Sequence, residues 1–220
     1  ILNCTSLNLK CKDSLVFTSD TFNGLDYLIN LTVLSESSLV VKDNFMTKAA
    51  KLSAVSLQAK SIEFSNDCFN DCPLLSTFST IITESGKVEF GKGQFNRCPK
   101  LIQIFIDYTS EVIELGESCF SYPPSYHFRK INFKGKTIKI TSKSFQNCTI
   151  DHLYFNASDV IFENESLKDS KINVISIEST KALFGEFCMK GNSSIKSVTA
   201  LCKTDVKLGT SAFEECFNLD

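Results

Sequence analysis

Residues 150–155 read Ile-Asp-His-Leu-Tyr-Phe, with apolar side chains at the first, fourth and sixth positions. The same six-residue pattern returns along the whole chain, and its fourth position is the centre of each copy. The central positions are Leu7, Leu31, Val55, Phe78, Ile104, Ile131, Leu153, Ile175 and Val198. Steps of 22 to 27 residues separate them. So regular a period predicts about nine stacked coils, because one coil of this length cannot bury its own apolar face.

A second apolar column accompanies the first. About nine residues before each central position stands one large apolar residue, the anchor: Phe22, Phe45, Phe69, Phe95, Phe120, Phe145, Leu167 and Met189, with Phe213 opening a last copy. Five residues before the anchors stand Phe17, Val40, Phe64, Phe90, Leu115, Ile140, Phe162, Phe184 and Leu208. Seven before them stand Leu15, Ile62, Val88, Ile113, Ile138, Val160 and Val206, with Ser38 and Ala182 as exceptions. Apolar residues two apart share one face of a strand, so each coil is predicted to hold a long and a short strand.

The segment around each anchor predicts a turn. Ser, Asn or Thr stands three residues before many anchors, where its side chain would cap a helical turn. Three residues after the anchors stand Cys72, Cys98, Cys148 and Cys216, whereas Lys48 and Pro123 break this column. The predicted fold is a strand-rich α/β solenoid over residues 1–220: a curved stack of about nine coils, with a parallel concave sheet and short helical turns on the convex side. We expect it to be part of a longer array.

Residues 206–219, Val-Lys-Leu-Gly-Thr-Ser-Ala-Phe-Glu-Glu-Cys-Phe-Asn-Leu, carry a more specific pattern. The pattern is a strand followed by Gly, then Ala-Phe, then Cys and finally Leu. Residues 90–101 match part of this pattern. With the period, this stretch resembles the BspA-type leucine-rich repeats, although the Pro usual after the long strand is missing. The resemblance implies a leucine-rich-repeat fold and a surface protein of the kind that bacteria and parasitic protists use for adhesion to host or matrix proteins. It carries over no binding residue, because that family shares no site motif.

Composition excludes some function classes. The chain has 23 basic and 25 acidic residues and a net charge of −2, which argues against a dedicated nucleic-acid-binding protein. The longest apolar run, 101–106, contains Gln103, so we expect no transmembrane segment. His127 and His152 belong to no nucleophile or metal motif, and the Cys68/Cys72 pair has no partner at zinc spacing. We therefore expect no enzyme activity, no cofactor and no metal.

The ten cysteines leave the compartment open. The column formed by Cys72, Cys98, Cys148 and Cys216 is predicted to be buried, with Cys72–Cys98 the one neighbouring pair in it that could be bridged. Glycosylation sequons favour a secreted or cell-surface chain, and six occur: Asn3, Asn30, Asn147, Asn156, Asn164 and Asn192. A Ser- and Asn-rich composition is the alternative explanation for them.

The long strands should present their outward residues to a partner. In the middle coils these include Ile102, Gln103, Phe105, Asp107, Arg129, Lys130, Asn132, Asp151, His152 and Tyr154, whereas earlier coils carry Ser and Thr. Exposed aromatic residues ringed by polar ones are typical of protein interfaces. The predicted binding residues are Gln103, Phe105, Asp107, Arg129, Lys130, His152 and Tyr154. Between Phe128 and Phe145 six basic residues occur and no acidic one, so this run is either a solvated edge or a site for a sulfated glycan.

These observations support two hypotheses. The first is a non-enzymatic adhesion or ligand-binding module, secreted or on the cell surface, with a host or matrix protein as partner. The second is an intracellular, cytoplasmic scaffold subunit that packs into a larger assembly.

Overall fold

The computed structural model describes residues 3–84, 86–108, 111–120 and 127–220, with the backbone alone for Asp107 and Tyr108. Fourteen strands form one sheet, in which every described strand pair is parallel. The strands are β1 Ser6–Cys11, β2 Leu15–Phe17, β3 Asn30–Ser35, β4 Ser38–Val41, β5 Ala54–Ala59, β6 Ser61–Phe64, β7 Thr77–Ile82, β8 Lys87–Phe90, β9 Gln103–Tyr108, β10 Val112–Leu115, β11 His127–Ile140, β12 Thr149–Phe162, β13 Lys171–Phe184 and β14 Ser197–Leu208.

The register of the long strands confirms the repeat. Each central position pairs with the central position of the next coil, from Leu7 and Leu31 through to Ile175 and Val198. The nine rungs of this ladder enclose about eight full turns of a parallel β-solenoid. In the last four coils the long and short strands merge into single strands, β11 to β14, of 12 to 14 residues.

The short strands form a second parallel ladder. The predicted columns are paired in all coils but the second, and Ala182 takes a buried place between Val160 and Val206. In the second coil Leu39 and Val41 point into the core, in place of the predicted Ser38 and Val40. The prediction was therefore one residue out of register in that coil.

The turns that follow the short strands contain no helix among the described residues, so the predicted short helical turns are wrong. In the third turn Asp67 and Asp71 have left-handed backbones, with φ of 54° and 60°. Their N–H groups donate to the next coil, to the carbonyls of Lys92 (2.9 Å) and Asn96 (2.7 Å). A helix needs consecutive right-handed residues bonded within their own segment. Here hydrogen bonds between coils take the place of that pattern.

Phenylalanine rings form a continuous column through the first six coils. Centroid distances along it are 5.3 Å for Phe22–Phe45, 5.9 Å for Phe45–Phe69 and 5.8 Å for Phe69–Phe95. The column continues to Phe120 (5.3 Å) and on to Phe145 (4.8 Å), where Leu167 and Met189 take it over. The predicted buried ladder is thus confirmed in the interior of the stack. Phe22 and Phe213 are only half-buried, because each lies in an end coil with a neighbour on one side.

The cysteines are free thiols and Cys72–Cys98 is not bridged. Cys98 Sγ lies 3.1 Å from the carbonyl oxygen of Phe69, the anchor of the preceding coil, and Cys72 Sγ lies 3.1 Å from Met46 O. Each thiol therefore donates a weak hydrogen bond to a carbonyl of the turn before it. Burial raises the pKa of the Cys68 thiol to about 12, which keeps it uncharged and unreactive. Cys216 is half-buried, against the prediction, since it lies in the last coil.

Candidate binding surface on the long strands

The outward side chains of the long strands make one surface, which we call the strand face. Its middle row follows the central positions and pairs from coil to coil: Asn8, Thr32, Ser56, Ser79, Phe105, Asn132, Tyr154, Ser176 and Thr199. Seven of these nine residues are small and polar. Phe105 and Tyr154 interrupt the row on either side of Asn132, about 9.6 Å apart from each other at the spacing of two strands.

Apolar area is exposed at the same place. Phe105 is 47% exposed and Ile102, on the same strand segment, is 56% exposed. The rest of the middle row consists of Ser, Thr and Asn, so Phe105 and Tyr154 distinguish the centre of this row from its ends. In the neighbouring outward row Ile81 (42%) and Leu201 (65%) are exposed as well. Exposed large apolar side chains in a polar surround are what protein interfaces use.

The structure places most of the predicted binding residues together. Gln103, Lys130 and His152 pair in register and form a second row beside the aromatic one. Gln103, Phe105, Arg129 and Lys130 are exposed, whereas His152 and Tyr154 are half-buried. The side chain of Asp107 lies outside the described residues.

A shallow groove joins five of the predicted residues, Gln103, Phe105, Arg129, Lys130 and Tyr154. One part is lined by Ile102, Gln103, Phe105, Arg129, Lys130 and Asn132, and its continuation by Phe105, Lys130, Asn132 and Tyr154. Ile102 and Asn132 were recognised as outward-facing but were left out of the predicted binding residues. Both alternate with core positions along the strand, and this pattern would have been reason to add them to the predicted binding residues. The side-chain oxygen of Asn132 is buried and has no hydrogen-bond partner among the described residues.

Lys130 is the charged group closest to the aromatic pair. Its ammonium nitrogen lies 5.8 Å from the centroid of the Tyr154 ring, within range of a cation–π contact. Within the described part of the chain, no carboxylate lies within 4.0 Å of this nitrogen. The lysine therefore presents a free positive charge next to an aromatic surface.

The two histidines of the strand face have different partners. His152 Nε2 lies 2.9 Å from Ser176 Oγ in the next coil. Burial, and to a smaller extent Lys130, lower the pKa of His152 below its usual value, so this side chain is neutral at neutral pH. His127 Nε2 lies 2.9 Å from Asp151 Oδ1, which also accepts a hydrogen bond from Asn173 at 3.0 Å. Asp151 is thus engaged at the edge of the groove.

The basic run between Phe128 and Phe145 is partly neutralised. Lys139 lies 3.1 Å from Glu114 and 3.0 Å from Glu163, carboxylates of the two adjacent coils. Hydrogen bonds that Lys139 donates to Glu163 and Glu114 raise the pKa of this lysine above its usual value. Lys136 lies 3.4 Å from Glu111. The run is therefore no uniform cationic patch, because two of its lysines bind carboxylates of neighbouring coils.

The six sequons differ in exposure, and Asn156 is half-buried. Asn3, Asn30, Asn147 and Asn164 are exposed. Asn192 is fully buried: its Oδ1 accepts the Ile172 N–H at 3.2 Å and its Nδ2 lies 3.3 Å from Ser170 Oγ. Asn192 was predicted as a glycosylation candidate, and its burial leaves no room for a glycan in the folded core. The repeat already held the signal, since Asn192 stands three residues after its anchor, in the buried column of Cys72 and Cys98.

The described residues offer neither a metal centre nor a membrane span. No group of three or more His, Cys, Asp or Glu side chains is placed to hold a metal ion in that part of the chain. None of its segments is a helix long and apolar enough to cross a bilayer.

Comparison with known proteins agrees with the geometry of the stack. No curated protein and no solved structure matches the sequence. The family model for the BspA type leucine-rich repeat region matches residues 3–127 and 114–220, in six copies. These matches extend over nearly the whole length of the chain. The chain belongs to the BspA-type leucine-rich-repeat family.

Proposed function

We propose that this chain is a non-enzymatic module, secreted or at the cell surface, that binds a protein partner through the centre of its strand face. Membership in the BspA-type family supports a repeat-based protein-binding module. The observation that carries the proposal is the pair Phe105 and Tyr154, which stand in register on either side of Asn132 on an otherwise Ser- and Thr-rich face. Adhesion to a host or matrix protein is the form of binding that the family favours.

The chemistry of the groove suits a polypeptide. Phe105 and Ile102 supply exposed apolar area. Tyr154 adds a ring with only two side-chain torsions, so little conformational entropy is lost when it is fixed on binding. Gln103 and Lys130, both exposed, offer polar contacts around them. A sulfated glycan would depend mainly on cations, and Lys136 and Lys139 are already paired with glutamates. The observations therefore favour a protein over a sulfated glycan.

An extracellular location agrees with one further feature. Four of the six sequons are exposed, so glycans could be carried without disturbing the core. The buried thiols act as weak donors to turn carbonyls, a role that requires no particular redox compartment. The intracellular scaffold remains the competing function, and it would place the principal contact elsewhere on the stack.

The test compares three variants against a panel of purified matrix and cell-surface proteins and sulfated heparin, by biolayer interferometry. For a partner bound by the wild type, Phe105→Ala or Tyr154→Ala should weaken binding by about 2 kcal/mol, about 30-fold in Kd. Ser56→Ala is the matched control, because it lies in the same row, two strands from Phe105. Circular dichroism checks that all variants are folded.

The outcomes separate the alternatives. Selective loss with the two aromatic variants supports protein binding at the centre of the strand face. Equal affinities for all variants would move the interface to another surface. Binding to heparin alone would replace the protein partner by a glycan. Isolation of the native chain in stable association with intracellular subunits, with Phe105 and Tyr154 free, would favour the scaffold.

A further inference from the structure

We propose that the folded protein carries N-linked glycans at its four exposed sequons, Asn3, Asn30, Asn147 and Asn164, and none at Asn156 or Asn192. The inference rests on the extracellular location in the proposed function, because N-glycosylation takes place in the secretory pathway. The sequence alone treats the six sequons as equal. Side-chain exposure and hydrogen bonding of the acceptor amide separate them.

The acceptor atom is the side-chain nitrogen, Nδ2. Asn147 and Asn164 lie in the turns after β11 and β12, both exposed and both off the strand face. Asn147 has a left-handed backbone (φ 63°), and its N–H bonds to Asp169 in the next coil, so the turn is fixed without use of the side chain. Asn164 Oδ1 accepts the Glu186 N–H at 2.9 Å, a bond that leaves its Nδ2 available. A glycan at either position would project into solvent.

Asn30 and Asn3 are at the other end of the stack. Asn30 begins β3 and is exposed, and it lies in the row of Gln103, three strands away from it. Three strand spacings are roughly 14 Å, so a glycan at Asn30 would border the binding groove without lying in it. Asn3 precedes β1 and is exposed as well. All four positions therefore leave the centre of the strand face open.

Asn156 differs because its Nδ2 is engaged on the strand face itself. This nitrogen donates to Glu178 Oε2 at 3.1 Å and lies 3.3 Å from the Tyr154 hydroxyl. A sugar on this atom would break both contacts and would stand beside the aromatic pair. At Asn192 a sugar would break two hydrogen bonds inside the core, so a chain modified there would not reach the native fold.

The experiment maps glycans on the full chain secreted from a eukaryotic host behind an added leader. The folded monomer is digested with peptide-N-glycosidase F in heavy-oxygen water, which converts each glycosylated Asn to a labelled Asp, and peptides are analysed by mass spectrometry. We expect label at Asn3, Asn30, Asn147 and Asn164. Unlabelled Asn147 and Asn164, or label at Asn156 or Asn192 in the folded fraction, would overturn the proposal.

Two conservative variants control for folding. Asn147→Asp should remove one glycan and leave the guanidinium unfolding midpoint unchanged, because the side chain makes no hydrogen bond to the described residues and Asp tolerates the left-handed backbone as Asn does. Asn192→Gln should leave the glycan mass unchanged and lower the midpoint, because it disturbs two buried hydrogen bonds. The opposite pattern would overturn the assignment. The result is independent of the binding test, since a chain can carry these glycans and still bind its partner through another surface.

Discussion

Replacement of Phe95 by Ala tests whether the phenylalanine column holds the stack together. The side chain is 1% exposed, and its ring meets four others at centroid distances of 4.7 Å (Phe78), 5.3 Å (Phe120), 5.8 Å (Phe69) and 6.1 Å (Phe90). Truncation of a buried Phe costs about 3–5 kcal/mol. Aromatic pairs add roughly 0.5–1.5 kcal/mol each beyond the buried area, so we expect the upper end, about 5 kcal/mol.

Two other phenylalanines provide graded controls. Phe213 is half-buried and meets one ring, Phe184, at 5.4 Å, so Phe213→Ala should cost about 2 kcal/mol. Phe217 is 82% exposed, and Phe217→Ala should change stability by less than about 0.5 kcal/mol. Phe95 has a left-handed backbone, with φ of 59°. Alanine keeps the Cβ that disfavours this conformation, so the substitution measures lost packing without a release of backbone strain.

Guanidinium unfolding followed by circular dichroism gives the free energies. If the m-value of a variant equals that of the wild type, the shift in its unfolding midpoint measures the change in stability. We expect the loss of stability to be largest for Phe95→Ala, smaller for Phe213→Ala and smallest for Phe217→Ala. If Phe95→Ala costs no more than Phe213→Ala, the column is not a cooperative core, and the coils are held mainly by their backbone ladders.

Three further predictions concern the turns and the groove. Cys98→Ala leaves the Phe69 carbonyl without its thiol donor and should lose about 1 kcal/mol more than Cys98→Ser in the same unfolding assay; equal losses would show that the donor does not matter. An NMR titration should place the pKa of His152 below about 6.5, and Lys130→Met should raise it. Because the folded-state pKa is lowered, protonation favours the unfolded chain, and stability should fall as the pH drops through about 6.5; a pKa above that value would contradict the burial. Amide protons of residues 18–26 should exchange faster than those of 66–72, since in that first turn no described N–H donates to the second coil.

The strand registers could be predicted from sequence because a parallel stack repeats one physical requirement at every step. Each core column must be filled in each coil, so apolar residues recur at nearly constant spacing and mark the rungs directly. The turns follow no such rule. Among the residues that the structure describes, fourteen other than glycine adopt positive φ, a conformation that residue preferences alone oppose. For most of these residues, Asp67 and Asp71 among them, the backbone N–H donates to a carbonyl of the next coil, a hydrogen bond that only the assembled stack provides.

In the candidate site, too, part of the arrangement could be predicted from the sequence and part could not. Outward positions follow from strand alternation, so Phe105 and Tyr154 were predicted to share a face. Their separation by one residue, Asn132, depends on the pairing between coils of unequal length, which the structure supplies. The partners of Lys136 and Lys139 were also hidden, because the glutamates that neutralise them lie about 25 residues away in sequence and one strand away in space.

The second coil explains how a register error arises in a regular repeat. Phe45 matches the other anchors in size, yet with Phe45 as anchor both Ser38 and Lys48 become exceptions. In the structure Met46 takes the anchor position: Asn44 and Lys48, with φ of 58° and 64°, stand two residues on either side of it, as Asp67 and Asp71 do around Phe69. The larger side chain thus does not identify the anchor, because Phe45 is also buried and its ring still joins the column.

A shift of one residue removes both exceptions at once. Leu39 then fills the short-strand column and pairs with Leu15 and Ile62, and Ala49 takes the place of Lys48 three residues after the anchor. A slip of one residue moves every side chain of a strand to the opposite face. A true register error must therefore produce several exceptions within one coil, whereas a tolerated substitution such as Ala182 produces a single one. Exceptions that cluster in a coil are for this reason better evidence on register than the size of any one side chain.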